Sequence, residues 1–396
     1  MQVSVPLIVS FVLARRLVPS LKWKNIETNK SQTMPPNQKI LNNGDLSMDI
    51  ALGSNEDERN DDDILSCAIL GCGMMGQEHI SYIQGFKDTV RIDFLVDPFQ
   101  PSLDKAQKIM KEFQLPECPA TCRSSPTHVP MFLKDEMELL MHSKNIDLLV
   151  IATPNYLHTD VLERWGKEDI TILVEKPVAV NLEQLQRLQE LKQDPGFKAR
   201  IWVAMEYRYI PAIAKLMSLI PETVGDIKMI TIRENRYPFL HKIGNWNRDP
   251  MKTGDTLVEK CCHFFDLFRL ITKQEIDLPN VRALAQRGLN YRNESFLADG
   301  IDYPIIDAAY VTMPFEERSG NKNRTVNHDL DMIQMMNNKT PGTMGCLELC
   351  MYAEGSRHQE EIIVTGTKVS LLLCPLCAFF SLRIYTQSSF LSILSY

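Results

Sequence analysis

The chain has 396 residues, 44% hydrophobic and 23% charged, an ordinary soluble composition long enough for two domains with substantial cores. Lys and Arg total 43 against 50 Asp and Glu, and the net charge of −7 excludes a basic nucleic-acid-binding surface as an organising feature. The 10 cysteines read as reduced thiols of a cytoplasmic protein; the C-x-x-C of Cys374 and Cys377 lacks the second pair or the histidines that a structural zinc site needs, so no metal is expected.

In chain order, Val3 to Ala14 (VSVPLIVSFVLA) is apolar like a signal-peptide core, yet no basic residue precedes it and it is too short to span a bilayer. It reads equally as a signal or signal anchor and as a disordered extension or mistaken gene start. Lys22 to Asp63 is polar, with the acidic runs Glu56-Asp57-Glu58 and Asp61-Asp62-Asp63, so residues 1–63 are expected to be an N-terminal extension with nothing to bury.

The ordered chain opens with the apolar run Leu65 to Leu70, which has the composition of a buried parallel strand and passes into Gly71-Cys72-Gly73-Met74-Met75-Gly76. In this G-x-G-x-x-G pattern the first glycine permits a tight turn, the second lets a pyrophosphate approach the backbone, and the third lets the next helix pack on the strand. The N–H groups at the start of that helix, at Met74 and Met75, favour phosphate. A second strand, Arg91 to Val96, ends in Asp97, 21 residues after Gly76 and close to the offset at which an acid meets the adenosine ribose. A carboxylate there favours NAD, with NADP as the alternative.

Helices are expected over Leu103 to Phe113, Val129 to His142, Asn155 to Trp165 and Asn181 to Leu191, and strands over Ile146 to Thr153, Ile170 to Val174 and Arg200 to Met205. This alternation implies a doubly wound parallel sheet, with ligands at the carboxyl ends of its strands. Two polar sequences fall at such ends: Thr153-Pro154-Asn155, with His158 one turn later, and Glu175-Lys176-Pro177. Both are assigned to the cofactor.

GCGMMG, VDP, ATPNYLH and VEKP, in this order and spacing, resemble the Gfo/Idh/MocA family of oxidoreductases, over about Ile64 to Lys368. The resemblance implies an N-terminal Rossmann domain (64–206) and a substrate-binding α+β domain (207–368) with a largely antiparallel open sheet, one face of which pairs two copies. It places Lys176 beside the nicotinamide and the substrate hydroxyl, with a cis bond at Pro177. It also implies a sugar, inositol or related polyol as substrate.

In the second half, Asp226 to Glu234, Gly345 to Tyr352 and Glu361 to Thr365 are strand candidates. Tyr207-Arg208-Tyr209 looks like the family's crossover, with Arg208 reaching the cleft, and Trp246, Asn247 and Arg248 are candidates to shape the sugar pocket. Thr253 to Asp266, read as one helix, puts Glu259 and His263 on one face, four residues apart, where the acid orients the imidazole and raises its pKa. The family's second catalytic sequence is likewise an acid followed four residues later by histidine, though inositol dehydrogenase-like members carry Asp at the first position. Hydride transfer between a carbinol carbon and nicotinamide is then expected, with His263 as base, Lys176 stabilising the oxygen, and Glu259 or Asn155 positioning neighbouring hydroxyls. A non-catalytic dinucleotide or sugar sensor and a redox-neutral NAD-dependent glycosidase are the other readings of the same scaffold. Val369 to Tyr396, almost uncharged and broken by Pro375, departs from the family and is expected to be an atypical tail that leaves the second sheet short of closing strands.

Overall fold

The computed structural model describes residues 64–114, 129–291, 303–316, 342–353, 355–374, 381–386 and 390–395, the last two runs as backbone path only. The readings made for residues 1–63 lie outside these. Six parallel strands form the first sheet in the order β3-β2-β1-β4-β5-β6: β1 (Leu65–Leu70), β2 (Val90–Val96), β3 (Met131–Leu133), β4 (Leu148–Ile151), β5 (Thr171–Val174) and β6 (Arg200–Val203). Helices α1 (Met74–Gln84), α2 (Gln100–Gln114), α3 (Glu136–Leu140), α4 (His158–Trp165) and α5 (Leu182–Gln193) connect them. Cys67 and Ile69 of β1 belong to one apolar cluster with Ile80 and Ile83 of α1, while Ala68 and Leu70 belong to another with Val161 and Trp165 of α4. Both faces of the sheet are therefore covered, which is why these strands read as unbroken apolar runs.

The order reverses between β1 and β4, so the carboxyl ends of these strands diverge and open a crevice. Gly71, Asp97, Thr153 and Glu175 all stand at that end of the sheet. Val129 to His142 is not one helix: Met131 to Leu133 pairs with β2, and Asp135 then starts a short helix by accepting a hydrogen bond from Met137 N. Side-chain capping at Asp135 overrides the weak apolar period of the stretch.

The second domain begins with helix α6 (Pro211–Thr223) and is built on a larger sheet ordered β15-β14-β13-β12-β7-β11-β10-β8, with β9 paired to β10. Its strands are β7 (Ile227–Asn235), β8 (Glu275–Ile276), β9 (Arg282–Gln286), β10 (Ala308–Glu316), β11 (Met344–Cys350), β12 (Glu360–Gly366), β13 (Val369–Cys374), β14 (Ser381–Thr386) and β15 (Phe390–Ser395). All neighbours are antiparallel except β7 and β11. Ile230, Ile232, Leu347, Leu349, Ile362 and Val364 pack on Phe264, Leu267, Phe268 and Ile271 of a covering helix. Burial of Phe264 and Phe268 contributes on the order of 2–3 kcal/mol each. The opposite face is open, and Met229, Leu284, Tyr310 and Met344 are exposed on the sheet.

Two expectations are corrected here. The tail from Val369 is not outside the fold: β13 pairs with β12, and β14 and β15 continue the sheet as its edge. In β13 the apolar character that made the segment look foreign is that of a core strand, with Leu371 and Leu373 in the same cluster as Ile362 and Val364. Thr253 to Asp266 is three short pieces: α7 (Pro250–Thr253), α8 (Asp255–Glu259) and α9 (Cys262–Thr272). Cys261 N–H reaches back five residues to Thr256 O at 3.3 Å, a widened turn of the kind that interrupts the helical ladder.

Candidate functional site

β1 ends in Gly71 at φ +96°, where a Cβ would stand 2.5 Å from Ala152 O on the adjacent strand end. A Cβ on Gly76 would stand 1.9 Å from Gly71 O, so α1 can rest on the turn only without a side chain there. A Cβ on Gly73 would meet no heavy atom within 4 Å, and Gly73 starts α1 with no side-chain cap. The N–H groups of the first turn, Met74 and Met75 included, thus face open space at the end of the sheet.

Asp97 is buried at the end of β2, its two oxygens accepting from Cys72 N and Phe99 N at 2.8 Å each, so the carboxylate is locked beside the glycine turn. Thr153 Oγ1 is buried with no hydrogen-bond partner among the described residues, and Pro154 leads into a single turn at Asn155–Leu157. An open glycine turn, an uncapped helix start, a fixed acid and an orphaned hydroxyl at one crevice fit a dinucleotide.

His158 and Glu175 act differently from expectation. His158 is fully buried, with Nδ1 2.8 Å from Pro177 O and Nε2 2.9 Å from Thr153 O, so both ring nitrogens brace the two loops from behind. Burial holds its pKa below the usual histidine range, against those two carbonyl contacts. Glu175 Oε1 lies 2.7 Å from His79 Nε2, tying the end of β5 to α1. Burial opposes its ionisation most strongly of any single cause, but the His79 bond together with the charges of His79, Lys176 and His158 outweighs it, and the carboxyl sits below the usual range. With both ring nitrogens engaged, His158 supports the loops that line the crevice in place of the cofactor contact expected of it, and Glu175 braces the same wall through one carboxylate oxygen.

Lys176 precedes a cis peptide at Pro177, as the resemblance implied, and its Nζ donates to Glu259 O at 2.9 Å. The same ammonium lies 3.6 Å from Glu259 Oε2, which also accepts from Asn155 Nδ2. Burial works against the charge on Lys176, yet Glu259, with Glu175 and Glu206, holds the ammonium above the usual lysine range. Lys242 Nζ approaches Glu259 Oε1 at 3.9 Å and lies over the Trp246 ring at 4.5 Å. Burial lowers the pKa of Lys242, with Glu259 acting in the opposite sense.

His263 is 3% exposed, its ring 4.6 Å from that of Tyr207 and its Nε2 3.9 Å from Glu206 Oε1. Burial first, then Lys176, Lys260 and Arg236, push its pKa well below the ordinary 6.5. This reverses the upward shift expected from Glu259. The widened turn at Cys261 separates the two residues, and Glu259 engages Lys176, Asn155 and Lys242. The imidazole is therefore neutral and basic at one nitrogen. Lys176 from the first domain and His263 from the second share one crevice, each within the field of Glu206 or of the other.

Of the residues assigned to the substrate, Trp246 stands at this crevice, edge-on to Tyr156 at 6.4 Å. Asn247 is buried with Nδ2 donating to Leu240 O, and Arg248 is buried with its guanidinium over the Tyr291 ring, so both build the wall behind. Arg208 does not reach the cleft: its guanidinium is held by both oxygens of Asp266. Glu206 and Lys242 take places that the sequence did not assign. Glu206 was within reach of the strand-end rule, since it follows β6 by three residues, whereas Lys242 lies in a loop without period.

The profile described as "Oxidoreductase family, NAD-binding Rossmann fold" matches residues 65–201, and that described as "Oxidoreductase family, C-terminal alpha/beta domain" matches 218–382. Inositol 2-dehydrogenase of Arthrobacter sp. (strain FB24) is 27% identical over 220 residues, 55% of this chain and 57% of that protein. The chain thus spans somewhat over half the length of the curated relatives it matches. Among solved structures, a myo-inositol dehydrogenase from Corynebacterium glutamicum is similar at TM-score 0.55 and 16% identity, covering 78% of this chain and 74% of that one. The WlbA dehydrogenase of Bordetella pertussis, solved in complex with NADH and UDP-GlcNAcA, is similar at TM-score 0.53 and 16% identity, covering 78% and 77%.

Proposed function

Because this chain belongs to the Gfo/Idh/MocA family of oxidoreductases, we propose that it transfers hydride between a nicotinamide cofactor and a carbinol or carbonyl carbon of a sugar, inositol or related polyol. The observation that carries the proposal is the convergence of a charged Lys176 and a neutral His263 on one crevice, beside a strand end built for a dinucleotide. The turn Gly71 to Gly76, Asp97 and Thr153 would hold NAD, which when bound would supply the hydride acceptor or donor.

His263 receives the hydroxyl proton at Nε2, the nitrogen that faces Glu206. Lys176 remains an ammonium throughout and stabilises the negative charge that develops on the same substrate oxygen. It acts as an electrostatic partner and not as a base. Asn155, Glu259, Lys242 and Glu206 offer donors and acceptors to neighbouring hydroxyls, and Trp246 with Tyr156 gives an apolar edge against which a sugar ring rests. Incubating the full-length protein with NAD and a panel of polyols and aldoses, with absorbance of the reduced cofactor as readout, tests the reading. Binding of NAD without turnover of any of them counts against it.

Asp97→Ala is expected to shift the ratio of catalytic efficiency with NADP to that with NAD upward by about tenfold or more, because the acid opposes a ribose phosphate. An unchanged ratio removes Asp97 from the ribose. The exposed Met229, Leu284, Tyr310 and Met344 support pairing of two copies through the open sheet face. Sedimentation equilibrium is expected to give twice the 45.3 kDa chain mass, and Tyr310→Lys to reduce it to the monomer; a wild-type monomer contradicts the pairing.

A further inference from the structure

Behind Tyr207 lies a buried group of charges that hydride transfer does not use. Glu234 of β7 and Glu360 of β12 are register partners on adjacent antiparallel strands, and each is 2% exposed. Side chains so placed stand about 5 Å apart at Cβ, and two ionised carboxylates there repel strongly in dry surroundings. A single ammonium serves both: Lys260 Nζ lies 3.4 Å from Glu234 Oε1 and 3.6 Å from Glu360 Oε1. Lys260 also donates to the Tyr207 hydroxyl at 2.8 Å, and that hydroxyl in turn donates to Glu360 Oε1. Arg236 approaches Glu234 Oε1 at 3.5 Å.

The remaining oxygens, Glu234 Oε2 and Glu360 Oε2, are buried with no hydrogen-bond partner among the described residues. Two orphaned acceptors on neighbouring acids have a simple resolution, in which one acid is protonated and donates to the other. Burial, opposed by Lys260 and reinforced by Glu234, pushes the Glu360 carboxyl up to about 8.

We propose that Glu234 and Glu360 hold one proton between them and, through Lys260 and Tyr207, form the positioning network of His263. Tyr207 presents its ring to the imidazole at 4.6 Å and its hydroxyl to the acid pair, so the two are joined through one rigid side chain. With the proton in place, one net negative charge faces Lys260. When it leaves, a second carboxylate charge competes for the ammonium that holds Tyr207. The network rests on the role proposed for His263.

The test follows the His263 ring signals by nuclear magnetic resonance in full-length protein labelled at histidine, assigned by their loss in His263→Asn. Charged or titratable groups around the imidazole are Glu206 and Tyr207 from the turn after β6, Lys176 after β5, Lys260 at the joint of α8 and α9, Arg236 after β7, and the thiol of Cys262 at the start of α9, which burial pushes up to about 11. Between about pH 6.5 and about pH 9 the neutral ring is expected to show a chemical-shift step centred near pH 8 that survives in Glu206→Gln and disappears in Glu360→Gln. Glutamine keeps the shape and hydrogen bonding of a protonated carboxyl but does not titrate. A flat wild-type signal, or a step that persists in Glu360→Gln, overturns the proposal.

Should Glu360→Gln fail to fold, Glu234→Gln is expected to remove the same step, since each acid is half of the pair. Thermal unfolding gives a second readout. The folded carboxyl is raised to about 8 from an ordinary 4.5, so its proton stabilises the fold at low pH and that stability is lost as pH rises through this interval. The Tm of Glu360→Gln should therefore gain on wild type by about 3 °C or more between those pH values, and a constant difference counts against the pair. Neither readout needs turnover. A missing step removes the network and leaves the hydride-transfer reading standing, whereas a step in a protein that never reduces NAD removes only that reading.

Discussion

Lys176→Met is expected to lower kcat by about 10²–10³-fold while the dissociation constant for NAD changes little. Methionine keeps the apolar stem that fills the crevice wall and deletes the charge together with its hydrogen bond to Glu259 O. The charge matters because negative neighbours led by Glu259 hold it above the usual lysine range despite burial, so the group is an ammonium at neutral pH. An oxygen losing its proton meets a full positive charge in a poorly solvated place, and that interaction grows along the reaction coordinate. Isothermal titration with NAD and steady-state turnover on the same preparation separate the effects. A parallel loss of NAD affinity and kcat makes Lys176 a structural residue.

His263→Asn is expected to lower kcat/KM by about 10²–10⁴-fold, the usual contribution of a positioned proton acceptor. The pH profile of the wild type carries a sharper expectation. Burial, then Lys176, Lys260 and Arg236, hold the imidazole pKa well below the ordinary 6.5, so the neutral base persists below that value and the acid limb of kcat/KM lies there too. Stability follows the same linkage: the unfolded histidine takes up a proton as pH falls below 6.5 while the folded one does not, so the fold loses stability on acidification. An acid limb at or above 6.5 that disappears in His263→Asn contradicts the geometry.

The first domain was legible because each of its signals is local. Gly71 needs its positive φ, Gly76 needs its missing Cβ, and Asp97 stands one strand away from both. Periodicity failed where a cap or an irregular turn broke it: Asp135 restarts a helix after a strand, and Cys261 widens the turn between Glu259 and His263. A pattern at i and i+4 places two side chains on one face only if the hydrogen-bond ladder between them is unbroken.

Other errors arose from contacts that no spacing contains. Arg208 is neutralised by Asp266, 58 residues on, and Lys242 meets Glu259 from a loop. Glu234 and Glu360 become neighbours only through strand register. The segment after Val369 was misread on composition, because uncharged residues suit an extended edge of the second sheet as well as they suit a foreign tail.

Glu259 has a mechanical consequence beyond any part in chemistry. It receives Asn155 and Lys176 from one half of the molecule and Lys242 from its own half, so a single carboxylate rivets both walls of the crevice. Without it, the two ammoniums would no longer be clamped by a common anion and would instead drive the halves apart, so one small change of charge would turn a clasp into a wedge.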